Sequence, residues 1–170
     1  MNAEFIFVGT EILLGNILNT NAKFLSEQCA ALGVSCYYQT VVGDNKERIR
    51  EAFLNARSRS DIVIFSGGLG PTEDDLTKET VARLFGLKLV TDPASLERLE
   101  KIFARFHAKM TPNNLKQADF PEGSMVIPNH RGTAPGCIVE KDGTSPPRSQ
   151  FPAVDVFSSA PCAYSAKSER

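Results

Sequence analysis

Short apolar runs alternate with helix-length amphipathic segments through the first half of the chain, and this alternation constrains the fold more than any other feature. Predicted strands cover residues 4–8, 34–42 and 61–65, and each is followed by apolar residues at helical spacing. Strands that are apolar along their length are typical of parallel sheets buried on both faces. Strand–helix alternation predicts right-handed βαβ units. We therefore expect a three-layer α/β fold, a mostly parallel sheet with helices on both faces.

Capping residues mark the expected helix boundaries. Asn19-Thr20-Asn21 precedes the first helical pattern, and Gly33 is its expected stop. The helix after the third strand is expected from about Asp74 to Phe85, and Asp92-Pro93 opens the next helix. Shorter elements complete the expected set, a helix at 113–119 and strands at 125–127 and 137–140.

Composition limits the class of protein and its partners. A chain of 170 residues is long enough for one domain and too short for two ordinary ones. The net charge of −1 gives no basic field, which disfavours nucleic acid as a partner. No apolar run approaches the roughly 20 residues of a membrane-spanning helix, so no membrane partner is expected. The start of the chain lacks a secretory signal, and Cys29 and Cys36 lie on apolar segments as expected for buried free thiols, so we expect a cytoplasmic protein.

Three predicted strands end in glycine-rich or acidic loops. These loops are Gly9-Thr10-Glu11, Gly43-Asp44-Asn45 and residues 67–75. In a parallel sheet, ligands bind beyond the carboxyl ends of the strands. We therefore expect all three loops to open on one edge and to form a site there.

The segment from Ser66 to Asp75 is the sharpest of these motifs. Its glycines let the backbone approach a ligand and turn amide N–H groups toward an anion, and a helix N-terminus behind them adds partial positive charge. It has neither the Lys-Ser/Thr ending of a P-loop nor the GxGxxG spacing. Two interpretations stay open: a phosphate cradle at Gly67, Gly68 and Gly70, or an ordinary strand-to-helix turn with acidic residues that favour the helix dipole.

Carboxylates beside this segment suggest a divalent cation. Asp74 and Asp75 are adjacent and cannot both be the N-cap of the following helix. A spare carboxylate beside a phosphate cradle is well placed to hold a cation, which would neutralise diphosphate charge and activate water. Asp44 and Glu11 lie on the neighbouring loops and could complete the site, although each alone is also typical of a turn or cap residue.

Residues 129–136 form a second loop dense in turn-forming residues. Arg131 could contact phosphate and Thr133 could donate a hydrogen bond, and a plain surface loop is the alternative. His107 and His130 have no metal-ligating partners at useful spacing and are expected to be structural or exposed. No serine has a nucleophile-elbow context with a paired histidine, which disfavours a Ser-His-Asp hydrolase.

Six motifs, in order and at family-like spacing, resemble the N-terminal domain of the CinA (competence/damage-inducible) family. They lie at residues 8–15, 19–21, 40–45, 67–77, 110–114 and 132–136. The resemblance implies the molybdopterin-binding (MoCF) fold that molybdopterin adenylyltransferases share. It also implies metal-dependent hydrolysis of ADP-ribose to AMP and ribose 5-phosphate. The family's separate domain, a nicotinamide mononucleotide deamidase, has no room in this chain.

The resemblance also implies the site residues. Asp44 and Asp75 match the acidic positions of the fold's active site and are the implied catalytic residues. The implied metal ligands are Glu11, Asp74 and Asp75. The implied substrate- and phosphate-binding residues are Gly9, Thr10, Gly67, Gly68, Gly70, Thr72, Asn113, Gly132 and Thr133. The implied ligand is a small nucleotide or pterin, the cofactor is a divalent metal cation, and a homo-oligomer is expected because relatives of the fold self-associate.

Three other functions stay open. They are a pterin- or nucleotide-binding module without turnover, molybdopterin adenylyl transfer, and a decayed fragment that folds poorly. The Gly-Gly-Leu-Gly-Pro-Thr form of the loop argues against adenylyl transfer, by family likeness alone.

From Thr144 onward the strand pattern and the resemblance are both lost. The last 27 residues hold four of the ten prolines and six serines, so we expect a domain at 1–143 followed by an irregular tail at 144–170. The family continues here with a hydrophobic strand and a Leu-Pro-Gly-Pro-Pro loop. A frameshifted or truncated reading frame is therefore a hypothesis that resequencing would test.

Overall fold

Residues 1–129, 132–141 and 153–158 are described by the structure, a computed structural model. The helices are α1 (Thr10–Leu13), α2 (Thr20–Ala31), α3 (Lys46–Arg57), α4 (Thr77–Phe85), α5 (Pro93–Arg105) and α6 (Pro112–Leu115), with a 3-10 turn at Lys116–Ala118. The strands are β1 (Asn2–Val8), β2 (Ser35–Val42), β3 (Ile62–Ser66), β4 (Leu89–Thr91), β5 (Asp119–Pro121), β6 (Met125–Ile127), β7 (Gly136–Lys141) and β8 (Ala153–Ser158).

The main sheet has six strands in the order β2-β1-β3-β8-β7-β6. The first four run parallel, and β7 and β6 complete the sheet by antiparallel pairing. Strands β4 and β5 form a separate antiparallel pair. The predicted α/β fold with a mostly parallel sheet is confirmed.

Side chains of β1 alternate between two cores because successive residues of a strand point to opposite faces. Ile6 packs on one face with Phe53 of α3 and Phe85 of α4. Phe5 packs on the other face with Cys29 of α2. Helices therefore cover both faces, which confirms the predicted three layers and places α3 and α4 together on one of them.

Helix α4 begins at Thr77, three residues later than the expected start near Asp74. Its N-cap is Leu76, which makes no side-chain capping bond, so neither Asp74 nor Asp75 caps the helix. The reason is local. The Asp75 carboxylate accepts from the amide of Thr72, so the capping-box pattern Thr-x-x-Asp closes a separate turn ahead of the helix.

Strand β8 lies within the segment that was expected to be irregular. Its six residues pair in parallel with β3 and antiparallel with β7. The prediction of an irregular tail is therefore wrong for residues 153–158, because pairing on both sides stabilises a strand whose own sequence pattern is weak. The other residues of the expected tail, and His130 and Arg131 of the second loop, lie outside the described residues.

Among the residues that the structure describes, no helix is both long and apolar enough to span a membrane.

Candidate functional site

The carboxyl ends of three neighbouring strands lie level with one another. Val8 of β1 pairs with Val42 of β2, and Phe7 pairs with Ser66 of β3. The loops that follow these strands consequently leave the sheet at the same edge. This confirms the predicted convergence of the three loops.

The loops after β1 and β2 are joined through Thr10 and Asp44. One carboxylate oxygen of Asp44 accepts hydrogen bonds from the Thr10 amide, at 2.9 Å, and from the Thr10 hydroxyl, at 2.7 Å. The Asp44 amide donates back to that hydroxyl at 3.3 Å. Glu11 lies beside them, with its carboxylate 2.7 Å from the position of a Cβ on Gly9. The predicted residues Gly9, Thr10, Glu11 and Asp44 therefore share one neighbourhood.

Gly67 and Gly68 occupy positions where any side chain would clash with neighbouring atoms. A Cβ on Gly67, at φ +104°, would lie 2.0 Å from the carbonyl oxygen of Val8. A Cβ on Gly68, at φ +66°, would lie 2.2 Å from the hydroxyl of Thr77. Both glycines are thus required by close backbone packing against β1 and α4.

The glycine loop, residues 67–72, points its first carbonyls inward. Thr77 donates from its hydroxyl to the carbonyl of Gly67 at 3.0 Å and from its amide to that of Gly68 at 3.2 Å. Within the described part of the chain, no acceptor is hydrogen-bonded to the amides of Gly68, Leu69 and Gly70. Amide N–H groups in this arrangement can donate hydrogen bonds to an anion, as the phosphate-cradle interpretation requires.

Asp75 closes the end of the glycine loop. One of its carboxylate oxygens accepts from the amide of Thr72 at 2.9 Å and from the Thr72 hydroxyl at 2.5 Å. A Cβ on Gly70 would lie 2.6 Å from the same oxygen. Asp74, the other predicted ligand on this loop, is exposed. Of the two adjacent aspartates, only Asp75 therefore faces back onto the glycine loop.

Two lysines that were not predicted as site residues fix the position of this loop. Lys116 donates to the carbonyls of Thr72 and Asp75, each at 2.8 Å, and lies 3.2 Å from a carboxylate oxygen of Glu79. Lys78 of α4 reaches in the opposite direction, to the carbonyl of Lys116 at 2.9 Å and that of Gln117 at 3.2 Å. We call these two side chains the crossed lysines, and they clamp the loop to the 3-10 turn.

Lys78 is buried, with 3% of its surface exposed, and lies 4.5 Å above the ring of Phe120. Burial lowers the pKa of Lys78 to about 8, because the charged ammonium loses its hydration. No spacing signal marks either lysine, since each acts on backbone about 40 positions away in the sequence.

The second predicted loop reaches the same 3-10 turn. Gln117 donates to the hydroxyl of Thr133 at 3.1 Å, and the amide of Gly132 donates to the side chain of Asn129 at 2.9 Å. Asn113 is exposed on α6, and its side chain makes no hydrogen bond to the glycine loop among the described residues. The structure thus brings Thr133 toward the crossed lysines and leaves Asn113 at the surface. His107 is exposed at the end of α5, as expected.

The donor set for the predicted cation is partial. In the described ranges, no three His, Cys, Asp or Glu side chains are grouped so as to hold a metal ion, so Glu11, Asp74 and Asp75 do not form a protein-only site. Mg²⁺, however, is commonly held by one or two carboxylates together with substrate phosphates. Asp44 and Asp75 lie on loops that follow strands ending at the same sheet edge, so either carboxylate could serve a site of this second kind, and the metal remains a prediction in that form.

Comparison with known proteins places the chain in a family. Residues 4–160 match the family model described as "Probable molybdopterin binding domain". A relative from Acetivibrio thermocellus, named as a competence-damage inducible protein, is 52% identical over 161 aligned residues, covering 91% of this chain and 39% of the relative. The structure of CinA from Thermoplasma acidophilum, a protein with unknown function, superposes with a TM-score of 0.75 at 36% identity, covering 92% of this chain and 87% of that one. This chain belongs to the CinA family.

The extent of the CinA match bears on the expected boundary near Gly143. The family model continues to residue 160 and so includes β8. A molybdenum cofactor biosynthesis protein from Corynebacterium diphtheriae superposes with a TM-score of 0.60 at 17% identity, which shows a shared fold alone. The chain spans well under half the length of the curated CinA relative described above.

Proposed function

We propose that this CinA domain binds the diphosphate of a nucleotide at the glycine loop and hydrolyses it with the help of a divalent cation, with ADP-ribose as the substrate. The observation that carries the proposal is the shared position of the loop amides and of Asp44 and Asp75 at one edge of the sheet. Amide donors suit phosphate oxygens, and carboxylates suit the cation that accompanies a diphosphate.

Asp44 and Asp75 would each bind the cation through the carboxylate oxygen that is not hydrogen-bonded to a threonine. Thr10 and Thr72 bind only one carboxylate oxygen of Asp44 and Asp75, respectively. The remaining oxygens would hold the cation, which when bound polarises phosphorus and lowers the pKa of the attacking water. In the reaction, the water oxygen would bond to one phosphorus and lose its proton to solvent. The bond from that phosphorus to the bridging oxygen would break, the bridging oxygen would leave on the other phosphate, and the products would be AMP and ribose 5-phosphate.

Release of AMP from ADP-ribose with added Mg²⁺ or Mn²⁺ tests the proposal. Asp75→Asn keeps the shape of the side chain and removes its charge, and we expect the rate to fall by about 100-fold, since loss of a metal contact costs a few kcal/mol in the transition state. Glu73→Gln is the matched control, because Glu73 is an exposed carboxylate just after the glycine loop. Equal rates for wild type and Asp75→Asn would remove the proposed role of Asp75.

The alternative of a binding module without turnover has one observation in its favour. Asp44 and Asp75 are each bonded to a threonine of the loops, so both carboxylates have a structural use that needs no reaction. Calorimetry with ADP-ribose would decide between the two functions. Tight binding with no AMP formed at any metal concentration would favour the binding module.

We propose a cytoplasmic location, which is supported by the free thiols of Cys29, Cys36 and Cys137; burial raises the pKa of each. We also propose self-association, which light scattering on the purified chain would measure directly.

A further inference from the structure

A cleft of about 280 Å³ lies between α3 and α4, at the edge of the sheet that carries the candidate site. Its position follows from the topology. Helix α3 begins two residues after Asp44, and the first amide of α4 is bonded to Gly68. The cleft is lined by Lys46, Glu47 and Arg50 of α3 and by Glu79, Thr80, Arg83 and Leu84 of α4.

The charge in this cleft is predominantly positive and largely uncompensated. Within the described ranges, the side chains of Lys46, Arg50 and Arg83 form no ion pair with an aspartate or glutamate. Of the two acidic residues, Glu79 is already paired with Lys116, at 3.2 Å. Three cations and one carboxylate, that of Glu47, then remain at the cleft, which is a local excess of positive charge in a chain whose net charge is −1.

A second and independent feature of the cleft is the hydroxyl of Thr80. The residue is 7% exposed, and its hydroxyl oxygen is buried without a hydrogen-bond partner among the described residues. Buried polar atoms in folded proteins are nearly always hydrogen-bonded, so such an atom needs an explanation. A phosphate oxygen in the cleft would supply the missing partner of this hydroxyl, whereas Oε2 of Glu79, also buried without a hydrogen-bond partner among the described residues, is an acceptor that an anion would not satisfy.

We propose that the cleft between α3 and α4 binds a phosphate monoester, with Arg50 and Arg83 holding the phosphate from the two helices and Thr80 donating its hydroxyl. Guanidinium groups suit this role because their planar forks match the spacing of phosphate oxygens. The cleft differs from the glycine loop in using side chains rather than backbone amides. The proposal does not depend on diphosphate hydrolysis, although both products of that reaction are phosphate monoesters.

Calorimetric titration without metal, at low salt, tests the site with inorganic phosphate, AMP and ribose 5-phosphate. Equal affinities would show that the phosphate group alone is recognised, and tighter binding of one ester would identify the source of the phosphate. The double variant Arg50→Gln/Arg83→Gln should bind at least about tenfold more weakly, the usual effect of losing charged hydrogen bonds. Arg98→Gln/Arg105→Gln on α5 removes the same charge elsewhere and should leave affinity unchanged.

A smaller change tests the threonine. Thr80→Val keeps the size of the side chain and removes the hydroxyl, so phosphate affinity should fall by about threefold or more while the protein unfolds no more easily. Unchanged affinity in the double arginine variant, or no binding of any of the three probes by wild type, would overturn the proposal.

This outcome is separable from that of the proposed hydrolase. Asp75→Asn should lose AMP release and keep the phosphate binding that responds to Arg50 and Arg83. If wild type releases no AMP but its phosphate binding is weakened by the double variant, the hydrolase function fails and the cleft site stands.

Discussion

Replacing Lys78 by methionine should remove the part of the pH dependence of the free energy of unfolding that this one buried ammonium causes. Burial is the main cause that lowers the pKa of Lys78 from 10.5 to about 8. The nearby charge of Lys116 acts in the same direction, and those of Glu79 and Asp119 oppose it. The folded state therefore releases this proton more readily than the unfolded state does.

The sign and size of the effect follow from linkage. Between about pH 8 and 10.5 the unfolded chain binds more protons at Lys78 than the folded chain, so the free energy of unfolding rises with pH. Over the full shift of the Lys78 pKa the free energy of unfolding rises by about 3.4 kcal/mol. About 2 kcal/mol of this rise falls between pH 7 and 9.5. Burial raises the pKa of Cys137 to about 12, so this neighbouring thiol stays protonated over the measured range.

Urea unfolding followed by circular dichroism measures the effect at several pH values. The free energy of wild type minus that of Lys78→Met should rise by about 2 kcal/mol from pH 7 to 9.5, since the groups common to both proteins cancel. Lys88→Met, at an exposed position, should show no such trend. A difference between wild type and Lys78→Met that stays constant within about 0.5 kcal/mol would refute the burial of a charged Lys78.

Two further predictions concern the framework of the site. Gly68→Ala should cost about 3 kcal/mol and Gly86→Ala only about 1 kcal/mol, because both glycines have φ +66° but only the first would place its Cβ against a side chain, at 2.2 Å. Glu4→Gln should cost about 2 kcal/mol, since Glu4 is 1% exposed and accepts two bonds from Arg59, whereas Glu97→Gln in an exposed pair should leave the free energy of unfolding nearly unchanged. Chemical denaturation of the two matched pairs checks both predictions, and equal losses within either pair would contradict its reasoning.

Sequence periodicity was sufficient to predict the sheet edge and the loops that meet there. Strands β1 and β3 each carry a continuous apolar run, residues 5–8 and 62–65, and neighbouring parallel strands direct their carboxyl ends to the same edge of a sheet. The meeting of Thr10 with Asp44, 34 positions apart, follows from that topology. Local pattern and global fold specify the same arrangement at these positions.

The parts that could not be predicted depend on contacts that leave no local pattern. Lys78 and Lys116 resemble solvated helix lysines in the sequence, but each donates to carbonyls of a distant segment. Strand β8 is short, and its place between β3 and β7 follows from tertiary pairing rather than from its own composition. The start of α4 was misplaced because Asp75 has the sequence signature of a helix cap and serves a turn instead.

Hydrogen bonds to threonines orient the two aspartates of the site. A carboxylate that accepts two hydrogen bonds on one oxygen, as Asp44 does from Thr10 and Asp75 does from Thr72, keeps a fixed direction for its other oxygen. The two aspartates are therefore oriented before any ligand arrives, although they do not form a complete cation site. Under the proposed function, a ligand that brings its own phosphate oxygens would complete the coordination, and cation binding would then depend on the presence of a diphosphate.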